Sequence, residues 1–575
     1  MTPMPRRLPA LVSVLYAVLL LVFAVYVVER SLDEHLSNLF FDDWRNLYER
    51  SRHSLLRWLF LPHNGHLIPA TRLLLHWDYE HFGARGVLPI SVSFLCTGTT
   101  SALLYAFLRR FPVDDPFPRR ALATFFVFAL LWSGLYYGFL WGFSVHASLT
   151  LMWTSASLCC LAAFALRDPD RPPGANRSLP ILALACAVAA SLSSASGMGV
   201  WAGLLAIALA SKLPIRLVIA ILAAAGATGA LLASARSGPG SNAEHVFLSL
   251  QQPDRLVASM LSFLGGPVAW TVDGWLGTSK AQRYQISLGG GAFGLLLALG
   301  CAARALRRAK ALDAPGLLGL ALIAYGAAVS LLVGLGRSWM TTDLANARFT
   351  PFSLLFWMGI ASTLASVLYG MRHWRARVLL GLLLPAASIA MLPAAQGALE
   401  RHRRVEHMTT TQLLMVLVGI RSDEIMGALG WSAEASRGLL PVLERDGRGP
   451  FADPRRGLLG RNLYELYEVA GARRCGRIRS WKEVDAGAGE SGASIRGIAT
   501  LAQEGSTLSS VLVVDGRGVI RGLGNPDREK EDGSVRWYAY LGPHERNHRF
   551  LVYAALDDGS VCRLGAARTA KRSKR

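Results

Sequence analysis

Two short motifs early in the chain carry side chains able to do acid–base or metal chemistry. Asp42-Asp43-Trp44 sets two carboxylates next to each other and beside an indole, and His63-Asn64-Gly65-His66 follows downstream. A carboxylate accepts a proton from an attacking hydroxyl or amine when it lies within hydrogen-bond reach. Two adjacent carboxylates can instead hold a divalent cation through hard oxygen ligands. In an extended segment, neighbouring side chains point to opposite faces. One carboxylate would then serve an acceptor while the other orients the loop or binds a cation, and Asp42, on the side of Trp44, is favoured as the base. His63, Asn64 and His66 either orient an acceptor or brace the acidic loop. His-x-x-His with no third ligand at fixed spacing is not by itself a metal set. The same stretch also holds Asp33, Glu34, His35, Glu49, His53, His76, Asp78, Glu80 and His81. A solvated loop with scattered acids is the plainer alternative.

The elements around these motifs are apolar. Hydrophobic residues make up 52% of the 575-residue chain and charged residues 17%, less charge than a soluble protein of this size carries. A bilayer core needs about 20 apolar residues per helix. The first such run, Leu8 to Val28, lacks the small-residue cleavage site of a signal peptide and is expected to be retained. Further spans are expected at roughly 86–108, 121–140, 144–166, 180–197, 199–212, 215–234, 285–303, 315–333, 350–370 and 377–394, about eleven in all. The pair 180–212 pivots at Ser196-Gly197-Met198-Gly199. The stretch 246–276 is expected to be interfacial or re-entrant, because Gly265-Gly266-Pro267 breaks it near its middle.

Charge sets the orientation. Alternate connections hold Arg109, Arg110, Arg119 and Arg120; Arg167, Arg171 and Arg177; Lys212 and Arg216; Arg304, Arg307, Arg308 and Lys310; Arg372, Arg375 and Arg377. Positive-inside bias assigns these to the cytoplasm. A further span at 246–276 would put the Arg304 group outside. The formal charge of +21 is therefore largely topological, spread over loops beside anionic lipid, and not a nucleic-acid footprint. The N-terminus is expected inside, with the loop 29–85 and the tail outside.

The expected organisation is a polytopic α-helical membrane domain (1–394), a helical extracytoplasmic connector (395–475) and a β-rich extracytoplasmic domain (476–575). In the last, apolar runs flank Asp515-Gly516 and Asp557-Asp558-Gly559. Asp-Gly between such runs signals a hairpin, and a small β-sandwich is expected, serving as a saccharide-binding or a packing module. Cys475 and Cys562 lie in this tail and either pair, in an oxidising compartment, or remain thiols. The other five cysteines sit in or beside apolar spans as small hydrophobes.

Asp42-Asp43-Trp44 after the first span, followed by His63-Asn64-Gly65-His66, resembles the C-type (GT-C) membrane glycosyltransferases of bacteria. So does Asn346-Ala347-Arg348-Phe349-Thr350-Pro351-Phe352 entering a late span, and the aromatic turn Tyr136-Tyr137-Gly138-Phe139-Leu140-Trp141-Gly142-Phe143 is similar to a feature of uncharacterised members. The resemblance covers roughly residues 10–394. It implies a polyprenyl-phosphate sugar donor, a glycan, lipid or protein acceptor, and catalysis at the outer face of the bacterial inner membrane. It also implies that an acidic residue of the first outer loop contacts the acceptor or a metal, which falls on Asp42 or Asp43.

Independently of that resemblance, a lipid-phosphate leaving group calls for positive charge. Arg348, where the chain re-enters an apolar span, and Arg337, in the same outer loop, offer guanidinium forks suited to phosphate. An interfacial anchor is the alternative role for Arg348. Trp44 and Trp141 offer rings for stacking on a sugar, and an aromatic belt explains Trp141 equally well. Two other classes remain beside transfer: an O-antigen polymerase or ligase, whose large outer loop lies between later spans, and a lipid-linked-sugar flippase or transporter, which would keep ionisable residues within the bilayer.

Overall fold

The computed structural model describes residues 7–35, 39–40, 42–63, 66–109, 117–166, 178–234, 242–307, 313–369, 374–429, 432–501, 507–530, 532–544 and 548–568. The helices are α1 (Arg7–Glu34), α2 (Asp42–Arg52), α3 (Leu55–Leu59), α4 (Pro69–Phe82), α5 (Val87–Leu108), α6 (Phe117–Ser133), α7 (Val145–Ala165), α8 (Ser178–Ser191), α9 (Val200–Ala210), α10 (Ile215–Ser234), α11 (Asn242–Leu250), α12 (Pro253–Leu276), α13 (Lys280–Arg307), α14 (Ala314–Arg337), α15 (Thr350–Tyr369), α16 (Trp374–Leu417), α17 (Asp423–Leu429), α18 (Ala433–Asp446) and α19 (Leu463–Leu466). The strands are β1 (Glu468–Arg474), β2 (Gly476–Gly487), β3 (Glu490–Ala499), β4 (Leu508–Val514), β5 (Ile520–Glu529), β6 (Val535–Leu541), β7 (Arg549–Leu556) and β8 (Ser560–Arg568). The chain forms two compact units. One comprises Met1–Leu36, Leu55–Phe82 and Gly86–Arg403, and the other Ser37–Ser54, Gly83–Arg85 and Arg404–Arg575.

The first unit is all helix. Among the described residues, nine helices are long and apolar enough to cross a membrane. α8 and α9 are shorter apolar helices that double back through the turn Ala195–Gly199, where the expected pivot lies. Gly197 makes that turn possible: a Cβ there would overlap the carbonyl of Ala190. The expected span 121–140 is helical only to Ser133. A single π-helical turn, Gly134–Gly138, follows.

Contacts fix which helix ends lie together. Trp132, at the end of α6, donates its indole N–H to the Met391 carbonyl at 2.8 Å. The π-turn after it packs against the 3-10 turn Ala347–Phe349 that opens α15. This end also receives the start of α5, where Gly86 and Pro89 meet Gly142. Arg109, Arg119, Arg120, Lys212, Arg216, Arg304 and Arg307 fall at the other end, where α5, α9 and α13 finish and α6 and α10 begin. Of the remaining basic residues expected there, Arg110, Arg167, Arg171, Arg177, Arg308, Lys310 and Arg372 lie outside the described residues.

α12 is the informative exception. It runs unbroken through Gly265-Gly266-Pro267, so the expected break is absent. Close packing supports the unbroken course: a Cβ on Gly265 would strike the Ser287 carbonyl, and one on Gly291 the Leu261 carbonyl, so α12 and α13 touch backbone to backbone. Length and composition alone would let α12 cross a membrane. Its contacts run otherwise. Leu256 packs at Gly334, Ser262 Oγ accepts the N–H groups of Leu344 and Ala345 at 3.1 Å each, and Phe263 meets Phe349. At its far end, Gly274 abuts Ala394 and Trp275 donates to the Ala390 carbonyl at 2.8 Å. Both ends of α12 therefore lie at the Met391–Phe349 end of the unit. The helix dips only as far as Trp357, whose indole N–H reaches the Leu264 carbonyl.

The β-strands of the second unit form one curled eight-stranded sheet, in the order β1-β8-β7-β4-β5-β6-β3-β2, rather than the two packed layers of a sandwich. Curling brings β2 back towards β8, where the Cys475 N–H donates to the Arg563 carbonyl at 3.1 Å and a disulfide joins Cys475 to Cys562. Ile495, Val511, Val513, Trp537, Val552 and Leu564 fill the interior. The two Asp-Gly hairpins form as expected: Asp515 accepts the N–H groups of Arg517 and Val519, and Gly518 and Gly559 take the positive φ their turns require. The connector helices and turns cover the outer face, with Val418 against Gly542, Ile420 against Gly492 and the Tyr464 hydroxyl 3.3 Å from that of Tyr553. Both faces are thus covered, which explains why β4 is buried almost throughout. The disulfide closes a sequence separation of 87 residues. Cys475→Ala should therefore lower the stability of this unit by about 2–4 kcal/mol, read as faster amide exchange in β4, β7 and β8. Unchanged exchange would show that the sheet closes without it.

Candidate functional site

The acidic motif opens a helix instead of lying extended, which corrects the geometry expected for Asp42 and Asp43. Asp43 begins its role before the helix does. Its N–H donates to the Phe40 carbonyl at 3.0 Å and its Oδ2 accepts the Phe40 N–H at 3.2 Å. That reciprocal pair satisfies backbone donors at the first turn in the manner of a capping box, and a carboxylate there also suits the positive end of the helix dipole. Asp43 is buried and Asp42 is half-buried. The Asp42 carbonyl, not its carboxylate, receives the Asn46 amide at 2.8 Å. Trp44 is fully buried and donates to the Leu39 carbonyl at 3.1 Å, so it acts in packing and offers no open face for a sugar. α2 packs on α18, with the Tyr48 ring against Gly438. Asp42, Asp43 and Trp44 belong to the second unit. The remaining expected site residues belong to the first.

In the first unit, His63 and His66 exchange two backbone hydrogen bonds, of 2.8 and 2.9 Å. Asn64 lies outside the described residues. The His63 ring is 5.0 Å from Phe143, and the rings of His146 and Trp141 lie 5.2 and 5.3 Å from that same phenyl. Three expected or neighbouring residues thus converge on Phe143. His146 Nδ1 donates to the Phe143 carbonyl at 2.9 Å, which leaves Nε2 as the basic nitrogen when the ring is neutral.

Arg72 holds this loop in place. It is fully buried, lies over the Trp58 ring at 5.4 Å, and donates to the carbonyls of Trp58 and Leu61. Asp78 performs the equivalent task for α5, accepting the Gly86 and Leu88 N–H groups at 2.7 and 2.9 Å. Burial pushes the Asp78 carboxyl up from its usual range, and those backbone donors oppose the shift.

Arg337, the last residue of α14 and not a loop residue, lies with Arg348 beside one ring. Their guanidinium carbons lie 5.5 and 5.0 Å from the centre of one ring, Phe349. The Asn346 side chain accepts the Arg348 N–H at 3.2 Å and so starts the turn that presents it. Phe349 packs in turn on Phe263 of α12. Seven residues further along α12, Trp270 carries a second arginine pair, Arg283 and Arg401, which the sequence argument passed over. Its visible signal was Asp273, a lone carboxylate near the end of an otherwise apolar stretch.

Among the described residues, no group of three or more His, Cys, Asp or Glu side chains converges as a metal set. No family model, curated protein or solved structure matches the chain.

The two carboxylates can be separated by substitution. Asp43→Ala should destabilise the start of α2 by about 1 kcal/mol, while Asp42→Ala should stay within about 0.5 kcal/mol. Amide exchange over residues 43–47 reads the difference. Equal effects would remove the structural role assigned to Asp43.

Proposed function

We propose that this chain is a membrane glycosyltransferase that moves a sugar from a polyprenyl-phosphate donor to a glycan, lipid or protein acceptor, at the outer face of a bacterial inner membrane. The observation that carries the reading is the arginine pair on Phe349. Two guanidinium groups lie within 5.5 Å of one ring, at the end of the helical unit that also gathers His63, His146 and Trp141 around Phe143. A departing lipid phosphate needs stabilising charge more than it needs a proton. Guanidinium forks meet that need without risk of deprotonation. Stacking on an aromatic ring holds them flat and limits the freedom lost when phosphate binds.

The acceptor needs a base. Asp42 is assigned this role, and Asp43 holds the start of α2 through the Phe40 backbone. His63, His66, Trp141 and Arg337 are assigned to substrate binding with Arg348. A divalent cation on the acidic pair remains part of the proposal only as an alternative role for Asp42. The orientation proposed is N-terminus inside and β-rich domain outside, since the basic helix ends then face the cytoplasm. A Cys475–Cys562 disulfide fits an oxidising outer compartment.

The test is transfer by purified protein from a panel of polyprenyl-phosphate sugars, with and without chelator. Asp42→Asn should slow transfer by roughly 10²–10⁴-fold with donor binding little changed. Arg348→Ala should weaken donor use by about 1.5–3 kcal/mol. Normal donor kinetics in Arg348→Ala would leave that residue an interfacial anchor, and intact transfer in Asp42→Asn and Asp43→Asn alike would end the proposed mechanism.

A further inference from the structure

The outer face of the curled sheet carries a cationic group that the transfer reading does not use. Arg474 ends β1, and its register partner in β8 is Arg563. Their chain neighbours Cys475, Cys562 and Leu564 belong to the interior of the sheet, so both arginine side chains leave by the outer face. Side chains at opposite positions on paired strands stand side by side, where like charges repel. Among the described residues, neither guanidinium has a carboxylate or hydrogen-bond partner. Arg563 is half-buried, and its Nε is shut off from water with no acceptor. A donor in that state carries a desolvation penalty that an arriving acceptor removes.

Two phenols stand beside this cation. Tyr553 of β7 is the register partner of Arg563 on its other side, and its hydroxyl is 3.3 Å from that of Tyr464. Burial pushes the Tyr553 phenol up to about 12; the Tyr464 hydroxyl adds to the shift and Arg563 opposes it. At neutral pH the phenol therefore keeps its proton and can donate it to an acceptor. The Tyr464 ring packs on Gly518, where a Cβ would come within 2.8 Å of it, yet the residue is 54% exposed. The row Tyr553–Arg563–Arg474 thus offers donors suited to an oxyanion. The open ring at its margin suits a ligand that carries its charge on a ring of its own.

We propose that Arg474, Arg563, Tyr553 and Tyr464 bind the carboxylate or phosphate group of an acidic sugar, whose ring lies on Tyr464. The chemistry recognised is an oxyanion on a sugar ring. The site lies wholly within the second unit and stands whether or not the protein transfers sugar.

Isothermal titration of the full-length protein in detergent tests it, with glucuronate, glucose 6-phosphate, glucose and inorganic phosphate as probes. Wild type should bind one of the two acidic sugars more tightly than glucose and inorganic phosphate, and the tighter of the two identifies the group recognised. Arg474→Ala with Arg563→Ala should weaken that binding by about 10- to 100-fold. Tyr553→Phe keeps the packed ring and removes one hydroxyl, and should weaken it by about 2- to 10-fold; this variant decides if the double variant fails to fold. Arg528→Ala with Arg536→Ala, an exposed pair of register partners elsewhere in the sheet, should leave it unchanged. The proposal is overturned if neither acidic sugar binds more tightly than glucose, if the folded double variant or Tyr553→Phe binds as wild type does, or if the Arg528–Arg536 variant loses as much. Inorganic phosphate bound as tightly as glucose 6-phosphate, with the same arginine dependence, would overturn the sugar assignment.

Discussion

A helix buried in an apolar bundle closes its backbone hydrogen bonds within itself, but a charged side chain inside that bundle has nothing to pair with and must reach an end. This constraint organises the helical unit. α5, α8, α9 and α15 carry no Asp, Glu, Lys or Arg at all, and α14 carries only its last residue, Arg337. Charge is sorted accordingly. One end gathers arginines beside helix termini. The other holds Asp78, Asp273, His63, His146, the Trp141 and Phe143 rings and the two ring-stacked arginine pairs, while Asp313 caps α14 at the basic end. The apolar bundle therefore leaves its charged groups to meet only near its ends.

α12 extends that end sideways. Its 24 residues would reach about 36 Å as a straight helix, enough to traverse an apolar layer. Instead its two halves are tied to the same end of the unit, one to the α14–α15 connection and one to α16. Glycine contacts with α13 hold it there without side chains between the backbones. On this helix Phe263 and Trp270 stand two turns apart on one face; Trp270 carries Arg283 and Arg401 directly, while Phe263 packs on Phe349, the ring that carries Arg337 and Arg348.

Much of this was legible in the sequence, for physical reasons that also explain the rest. Hydropathy located most of the long apolar helices and the α8–α9 pivot, because long apolar runs and a Ser-Gly-Met-Gly turn have few other solutions, but it counted the short α8 and α9 as spans and left out α12, which is long and apolar enough to be one. The Asp-Gly hairpins were legible because the turn chemistry is local. The single curled sheet was not, since closure of β2 on β8 depends on pairing far apart in sequence, whereas a sandwich and a curled sheet share the same alternation along each strand. Asp42 and Asp43 were recognisable as unusual, but their helical setting and the Phe40 bond that engages Asp43 depend on local capping that a bare Asp-Asp does not reveal. Pro267 was over-read: a proline removes one hydrogen bond, and packing against α13 outweighs that loss. The Arg283–Arg401 pair is not legible because its two arginines are separated by over a hundred residues and meet only in the fold, at Trp270 and Asp273.

The central claim is that α12 lies along one end of the helical unit and so keeps the remaining helices in register with their basic and chemical ends. Cysteine labelling with a membrane-impermeant maleimide tests this directly. Single cysteines replace Gln251 and Ser279, which flank α12, and Ala303, near the far end of α13; all three positions are exposed. Gln251→Cys and Ser279→Cys should label from the same face of sealed membranes, with Ala303→Cys labelling only from the opposite face. Labelling of Gln251→Cys and Ser279→Cys from opposite faces would mean that α12 crosses the membrane, and would contradict both the course described for it and the assignment of all the site chemistry to one side.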